Sequence, residues 1–358
     1  MVKSYDILYQ LIRCSLGEEL KIDIADAQIE EIMNLGIRQG VSLLAFDGFQ
    51  KAYNNERNAN SEFVKLQWIG QSIQFENTNK LIVTAQQQIS DQLKQKGIKA
   101  LVLKGSALSR YYKTPEFRQY GDIDIYSPTE FEKIDDILKS IGANYDLECY
   151  RHSHCLVQGI TVENHIYLTD ARWKKKWAAL EDYLSKQAAK NLIEQEESGL
   201  GFPDYLFNIL FFVYHALDHF VYDQLTLRFL VDWFYLLKGR KDLDEVILEK
   251  KLAEYGLMQF AVVLTVLCVK RLSMDENLVP KYMIDAARNI NPSLLKKFED
   301  DMFDESHSGF TTNSLKDRIA RLSRFYQYRW KIEEFYGISL FQFVWSKVLA
   351  IIKWNQFK

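Results

Sequence analysis

Two aspartates lie two residues apart in the stretch Gly121-Asp122-Ile123-Asp124-Ile125. On a β-strand this period puts both carboxylates on one face and both isoleucines on the other. The apolar face can enter a core while the acidic face lines a cleft. Two carboxylates held so close repel unless a cation sits between them, so the pair invites Mg²⁺, or Mn²⁺ in its place. Upstream, residues 98–103 form a short apolar run after the Gly97 break, which reads as a buried strand leading into Lys104-Gly105-Ser106. Ser106 is placed to cap a helix whose free N–H groups offer an anion site. Gly105 and Ser106 are thus candidate phosphate contacts, with a ligand-free helix cap as the alternative. A phosphate cradle beside a metal-binding acid pair points to phosphoryl or nucleotidyl transfer.

Other polar residues fall around this centre. Lys104 either pairs with phosphate or is a strand-end charge. Arg118, four residues before Asp122, could clamp a triphosphate; the favoured reading is an ion pair that orients the acids. His215 and His219 lie four apart on a helix, with Asp218 beside them. Ala216 follows His215, which argues against an H-E-x-x-H zinc site. These histidines either face the cleft as phosphate or base contacts or lie satisfied in a helical core. His152, His154 and Cys155 are close in sequence, but strand alternation separates Cys155 from the histidines and argues against zinc there.

The elements that must position these groups follow from periodicity. Helices are expected over residues 4–95, with 61–95 as one long helix packed beside the core. The core runs as strand 98–103, helix 106–112, strand 122–126, and helix 129–140 begun by Ser127 and Pro128 and ended by Gly142. In residues 151–168, Gln158-Gly159 can turn a hairpin. That turn pairs Val157 with Ile160, His154 with Glu163, and His152 with His165. Thr161, Glu163, His165 and Tyr167 then share one face, with Val162 and Ile166 on the other. Residues 170–200 read as a helix and then a solvated connection. From Pro203 the chain is helical, with breaks near Gly256, Pro280, Pro292, Ser308-Gly309 and Gly337. The helix of His215 and His219, with the next one carrying Arg228 and Asp232, is the expected far wall of the cleft. A last helix, residues 340–357, has an aromatic stripe that suits docking on its own protein or a membrane surface.

Gly-Ser followed by Asp-x-Asp on a strand resembles the nucleotidyltransferase fold of DNA polymerase beta. The fuller pattern Leu103-Lys104-Gly105, Tyr112, Pro115, Arg118 and Asp122-Ile123-Asp124 resembles a bacterial family of uncharacterised nucleotidyltransferases. The resemblance is strongest over residues 98–170 and weaker over 205–235. The gap between Ser106 and Asp122 exceeds the common superfamily spacing and leaves room for an extra helical turn. The resemblance implies an α+β fold: a small mixed sheet flanked by helices, with a helical N-terminal lobe and a helical C-terminal domain. The corresponding divisions are residues 1–96, 97–170 and 171–358. It makes Glu163 the third metal-binding carboxylate, on a neighbouring strand, and Glu163-Asn164-His165 looks like the family's Glu-x-His. It implies an NTP substrate and a small-molecule, protein or RNA acceptor. The contrasting expectation is a catalytically silent nucleotide-sensing or protein-interaction module of the same fold.

Composition bounds these readings. At 358 residues the chain can bury a large core, and its few interruptions, 5 prolines and 16 glycines, favour helix. A net charge of −3 gives no general electrostatic case for nucleic acid. The four cysteines have no zinc-ligand or thioredoxin spacing. With no signal peptide after Met1 and no apolar run long enough for a bilayer, the expectation is a cytoplasmic protein with free thiols.

Overall fold

Short runs of β-branched and aliphatic residues form a mixed sheet whose strand order brings the acidic positions together. The computed structural model describes residues 3–52, 59–147, 150–170, 174–239, 243–304 and 326–345. Its strands are β1 (Lys99–Leu103), β2 (Asp122–Tyr126), β3 (Ala143–Asp146), β4 (His152–Val157), β5 (Ile160–His165) and β6 (Gly199–Gly201). They lie in the order β3-β4-β5-β2-β1-β6. β2 runs antiparallel to β1 and parallel to β5. The β4–β5 hairpin turns at Gln158-Gly159, where φ is +53° and +80°. Two successive positive φ values are those of a type I′ turn. The expected pairs Val157–Ile160, His154–Glu163 and His152–His165 all occur. β3 and β6 were not foreseen. β6 is a three-residue Gly-Leu-Gly strand inside the segment read as a solvated connection, too short to show a period.

Alternation along the strands divides the core in two. Ile123, Ile125, Val162, Cys155 and Val157 face one way. They pack on Ile82, Ala85, Ile89 and Leu93 of α4 (Ala59–Gln95) and on Ile134, Ile137 and Leu138 of α6 (Phe131–Ile141). Leu101, Leu103 and Tyr126 face the other way, toward α7 (Lys175–Glu194), α8 (Tyr205–Tyr222) and α9 (Leu227–Lys238). A buried polar node stitches α6 to the sheet. Asp135 accepts from Ser153, Asn164 and Tyr145, which satisfies a carboxylate that is otherwise shut off from water.

The segment between β1 and β2 departs from expectation. The helix foreseen over 106–112 is a single turn, α5 (Gly105–Ser109), and the long gap to Asp122 holds a 3₁₀ turn at Pro115–Phe117 rather than more α-helix. Thr114 is held extended ahead of Pro115, which disfavours a helical residue before it. α6 begins two residues later than expected, after Glu130, and stops at Gly142 as expected.

Helices α1 (Ser4–Leu16), α2 (Asp26–Arg38) and α3 (Ser42–Ala52) join the same apolar core as α8, α9, α10 (Glu245–Tyr255) and α11 (Met258–Leu272). The α2–α3 turn touches the start of α9. Gln39 Oε1 accepts from Leu227 N at 2.7 Å, and the Gln39 carbonyl accepts from Arg228 N at 3.1 Å. Gly256 and Gly337 end helical segments in the left-handed conformation, and Pro292 opens another, as expected. Ser308-Gly309 and residues 346–357 of the expected last helix lie outside the described residues. Among the described residues no helix is long and apolar enough to cross a membrane.

The α1–α3 contact is backbone against backbone. A Cβ added at Gly48 would lie 1.8 Å from the Leu11 carbonyl oxygen, whereas one added at Gly70, on the exposed face of α4, meets nothing within 4 Å. Gly48→Ala should therefore destabilise the fold by about 3 kcal/mol or more through overpacking. Gly70→Ala should stabilise it by about 0.5–1 kcal/mol through helix propensity. Equilibrium denaturation of the two variants checks both; equal effects would show that the helices separate at this point.

Candidate active site

The strand register places the acids. Asp122 pairs with Thr161 and Asp124 with Glu163 across the parallel β2–β5 ladder, so all three carboxylates lie on one face. β1 lies on the other side of β2, with Leu103 opposite Asp124. The next residue, Lys104, has φ +46° and ψ −118°, a sparsely populated conformation that costs a side chain of this kind about 1–3 kcal/mol. This bend brings Lys104 Nζ to 2.6 Å from Asp124 Oδ1. His165 Nε2 lies 2.8 Å from the same oxygen and 3.5 Å from Glu163 Oε2. Lys104 therefore touches a carboxylate, and this contact distinguishes it from a solvated strand-end charge.

The electrostatics follow from this packing. Burial alone would raise the pKa of Asp124, but Lys104 and His165 outweigh it and hold the carboxyl well below the usual range. Asp122 makes no ion pair among the described residues: burial, then the charge of Asp124, pushes its pKa up against a weaker pull from Lys104. Burial works against a charged His165, yet its hydrogen bonds to Asp124 and Glu163 raise its pKa. Glu163 is lowered against burial chiefly by His165.

Arg118 is in an ion pair, but not with the acids of β2. Its Nε and Nη2 donate to the two carboxylate oxygens of Asp232 on α9, at 2.7 and 2.9 Å. Tyr112 Oη donates to Asp232 Oδ1 at 2.6 Å and its ring stacks on Tyr235. Asp232 satisfies two donors from the β1–β2 segment, so it fastens that segment to α9. Ser106 is also elsewhere. The residue before α5 is Lys104, no side chain caps the helix, and the Ser106 hydroxyl accepts from Gln86 on α4. Ser106 lines a separate groove of about 970 Å³ between α4 and the 3₁₀ turn. Asp218 pairs with Arg151 at 3.0 Å, away from the acids.

A cavity of about 90 Å³ joins the remaining groups. Lys104, Gly105, Asp122 and Asp124 line it from the sheet, and His215, His219, Arg228 and Asp232 line it from α8 and α9. The two histidine rings stack edge-on at 4.4 Å. Burial, then Lys104, holds His215 well below the ordinary imidazole value, so it is neutral at neutral pH. His219 is at the rim and exposed. Arg228 and Asp232 stand four apart on α9, a spacing that puts both on one helix face and was readable in advance. His152 had no signal linking it to the acids beyond its hairpin partner, His165.

The donor set fits a divalent ion. Among the described residues Asp124 Oδ2 is buried without a hydrogen-bond partner, and Asp122 is a carboxylate in need of a counter-charge. One potential ligand atom from each of His152, Glu163 and His165 also lies within 4.8 Å of the others. Cys155, on the opposite face, is buried in the core, so the three-residue cluster with His152 and His154 does not form.

Residues 25–273, well over half the chain, match the model of a family described as uncharacterised nucleotidyltransferase. No curated protein and no solved structure matches.

The Arg118–Asp232 pair is about 4% and 2% exposed, so breaking it strands a buried charge. Arg118→Ala or Asp232→Ala should cost about 3–5 kcal/mol of stability, whereas Tyr112→Phe should cost about 1–3 kcal/mol. Chemical denaturation measures these losses; a loss below about 1 kcal/mol for either charge variant would mean that the pair does not fasten α9.

Proposed function

The chain belongs to the family of uncharacterised nucleotidyltransferases, and we propose that it transfers a nucleotidyl group from an NTP to an acceptor nucleophile with Mg²⁺ or Mn²⁺ held by Asp122, Asp124 and Glu163. One observation carries the reading: β2 and β5 align three carboxylates on one face, and two of them, Asp122 and Asp124, line a cavity walled by cations and neutral histidines. When bound, the divalent ion would lower the pKa of the acceptor and neutralise phosphate charge.

The chain's own residues have separate parts in this reaction. The acceptor atom bonds to the α-phosphorus, the bond to pyrophosphate breaks, and the acceptor's proton leaves with a base. His219, exposed at the rim, supplies that base, while Glu163 is too strongly held by His165 to compete for the proton. Lys104 and His165 keep Asp124 ionised and fixed. Gly105 lines the cavity, whereas Ser106 faces the other groove and has no part here. The acceptor is a small molecule, a protein side chain or an RNA end.

A second reading, a silent nucleotide-sensing module, has one observation in its favour. Lys104 already answers the charge of Asp124, so the site is electrostatically partly satisfied without a metal. Melting curves separate the two. Asp122 has a raised pKa, so its ionised form costs stability at neutral pH, and Asp122→Asn should raise the melting temperature without divalent ions. In wild type, Mg²⁺ with the cognate NTP at about 100 times its dissociation constant should add about 2.7 kcal/mol. The Asp122→Asn, Asp124→Asn double variant should lose that gain. Equal gains in both proteins would favour the silent module, and no binding of any NTP to wild type would end the nucleotidyltransferase reading.

A further inference from the structure

Three permanent cations line the cavity beside Asp122 and Asp124, and they differ in what answers their charge. Lys104 is matched by Asp124 at 2.6 Å and Arg118 by Asp232 at 2.7 Å. Arg228 is left over. Its Nη1 donates to the Gln119 carbonyl at 3.1 Å. Its Nε is buried with no hydrogen-bond partner, and no carboxylate comes within ion-pair distance among the described residues.

This arginine is held in place. Its backbone N–H donates to the Gln39 carbonyl, and its stem runs over Gly40 in the α2–α3 turn. A Cβ at Gly40, where φ is +66°, would come within 3.3 Å of the Arg228 Cβ, so glycine at this point gives the stem its path. The backbone thus fixes the side chain from two sides, yet one face of the guanidinium keeps unused donors. A guanidinium partly removed from water with no counter-ion carries a desolvation cost that a bound anion would offset. Neither Asp122 nor Asp232 takes that role: Asp232 spends both oxygens on Arg118, and Asp122, though near enough to feel the charge of Arg228, makes no ion pair with it among the described residues.

We propose that Arg228 is a phosphate-binding residue, which grips a phosphate group of the nucleotide across the cavity from the acid pair. The inference rests on the nucleotidyl-transfer reading and adds the group that answers the substrate's charge on the helical side. At about 90 Å³ the cavity is too small to enclose a whole nucleotide. The nucleoside therefore projects out of it. The guanidinium fork suits two phosphate oxygens at once, which a lysine ammonium at the same place would not match.

The test is calorimetric titration of each NTP with Mg²⁺ into wild type, Arg228→Gln and Arg228→Lys, with melting curves to confirm that the variants are folded. For the NTP that wild type binds, Arg228→Gln should weaken affinity about tenfold or more. Arg228→Lys, which keeps the charge and loses the fork, should fall between. Wild-type affinity in Arg228→Gln would overturn the assignment and leave the nucleotidyltransferase reading standing; failure of wild type to bind any NTP would overturn both. Should Arg228→Gln not fold, wild-type affinity in Arg228→Lys would overturn the two-oxygen grip.

Discussion

Asp124 is a carboxylate with about 1% of its surface exposed, and an ionised group in that position persists only where other charges meet it. The fold supplies those charges from both neighbouring strands. β1 ends opposite Asp124 and bends through the strained Lys104, and β5 brings His165 from the parallel side. The strand order is what permits this, because β2 lies between β1 and β5. The isoleucines that alternate with the acids anchor the strand from behind in the layer of α4 and α6. His165 adds stability fully below its unfolded pKa and loses it as pH rises through the raised folded value. Asp124 contributes above its unfolded pKa and loses that contribution as pH falls through the depressed folded one. The two contributions overlap in the mildly acidic range.

The opposite wall has its own fastening. Asp232 ties α9 to the segment between β1 and β2 through Arg118 and Tyr112, and Gln39 ties the same helix to the N-terminal helices. Two distant parts of the chain therefore set the position of α9. A lobe that reads from its amphipathic pattern as packing alone thereby positions a residue of the cavity. Arg228 is where these constraints meet, since Gln39, Gly40 and Gln119 all touch it.

What was legible in the sequence was local and periodic. The period of two in Asp-Ile-Asp-Ile correctly assigned both faces of β2, and one turn signal at Gln158-Gly159 was enough to set the whole β4–β5 register. That register in turn put Glu163 and His165 on the face of Asp124. The misread side-chain partners were chosen over long distances. Ser106 has the residue type of a cap, but Gln86, twenty positions earlier, takes its hydroxyl. Arg118 is near Asp122 in sequence, yet its partner is 114 positions later, on a helix that only the tertiary fold brings close. No local pattern could show that Arg228 would be left without an acid, because that is a property of the completed set of pairs. β6 was invisible for a different reason: three residues, two of them glycine, show neither a period nor a β-branched bias.

The site depends on the coupling of Asp124 to His165, and the titration of the His165 imidazole by NMR, in wild type and in Asp124→Asn, tests that coupling most directly. In wild type the two carboxylates should hold the His165 pKa above the ordinary imidazole value. In Asp124→Asn the strongest hydrogen bond and the nearest charge are gone, burial prevails, and the pKa should fall. An unchanged His165 pKa in the variant would contradict the account, because Asp124 would then not be the carboxylate around which the site is set.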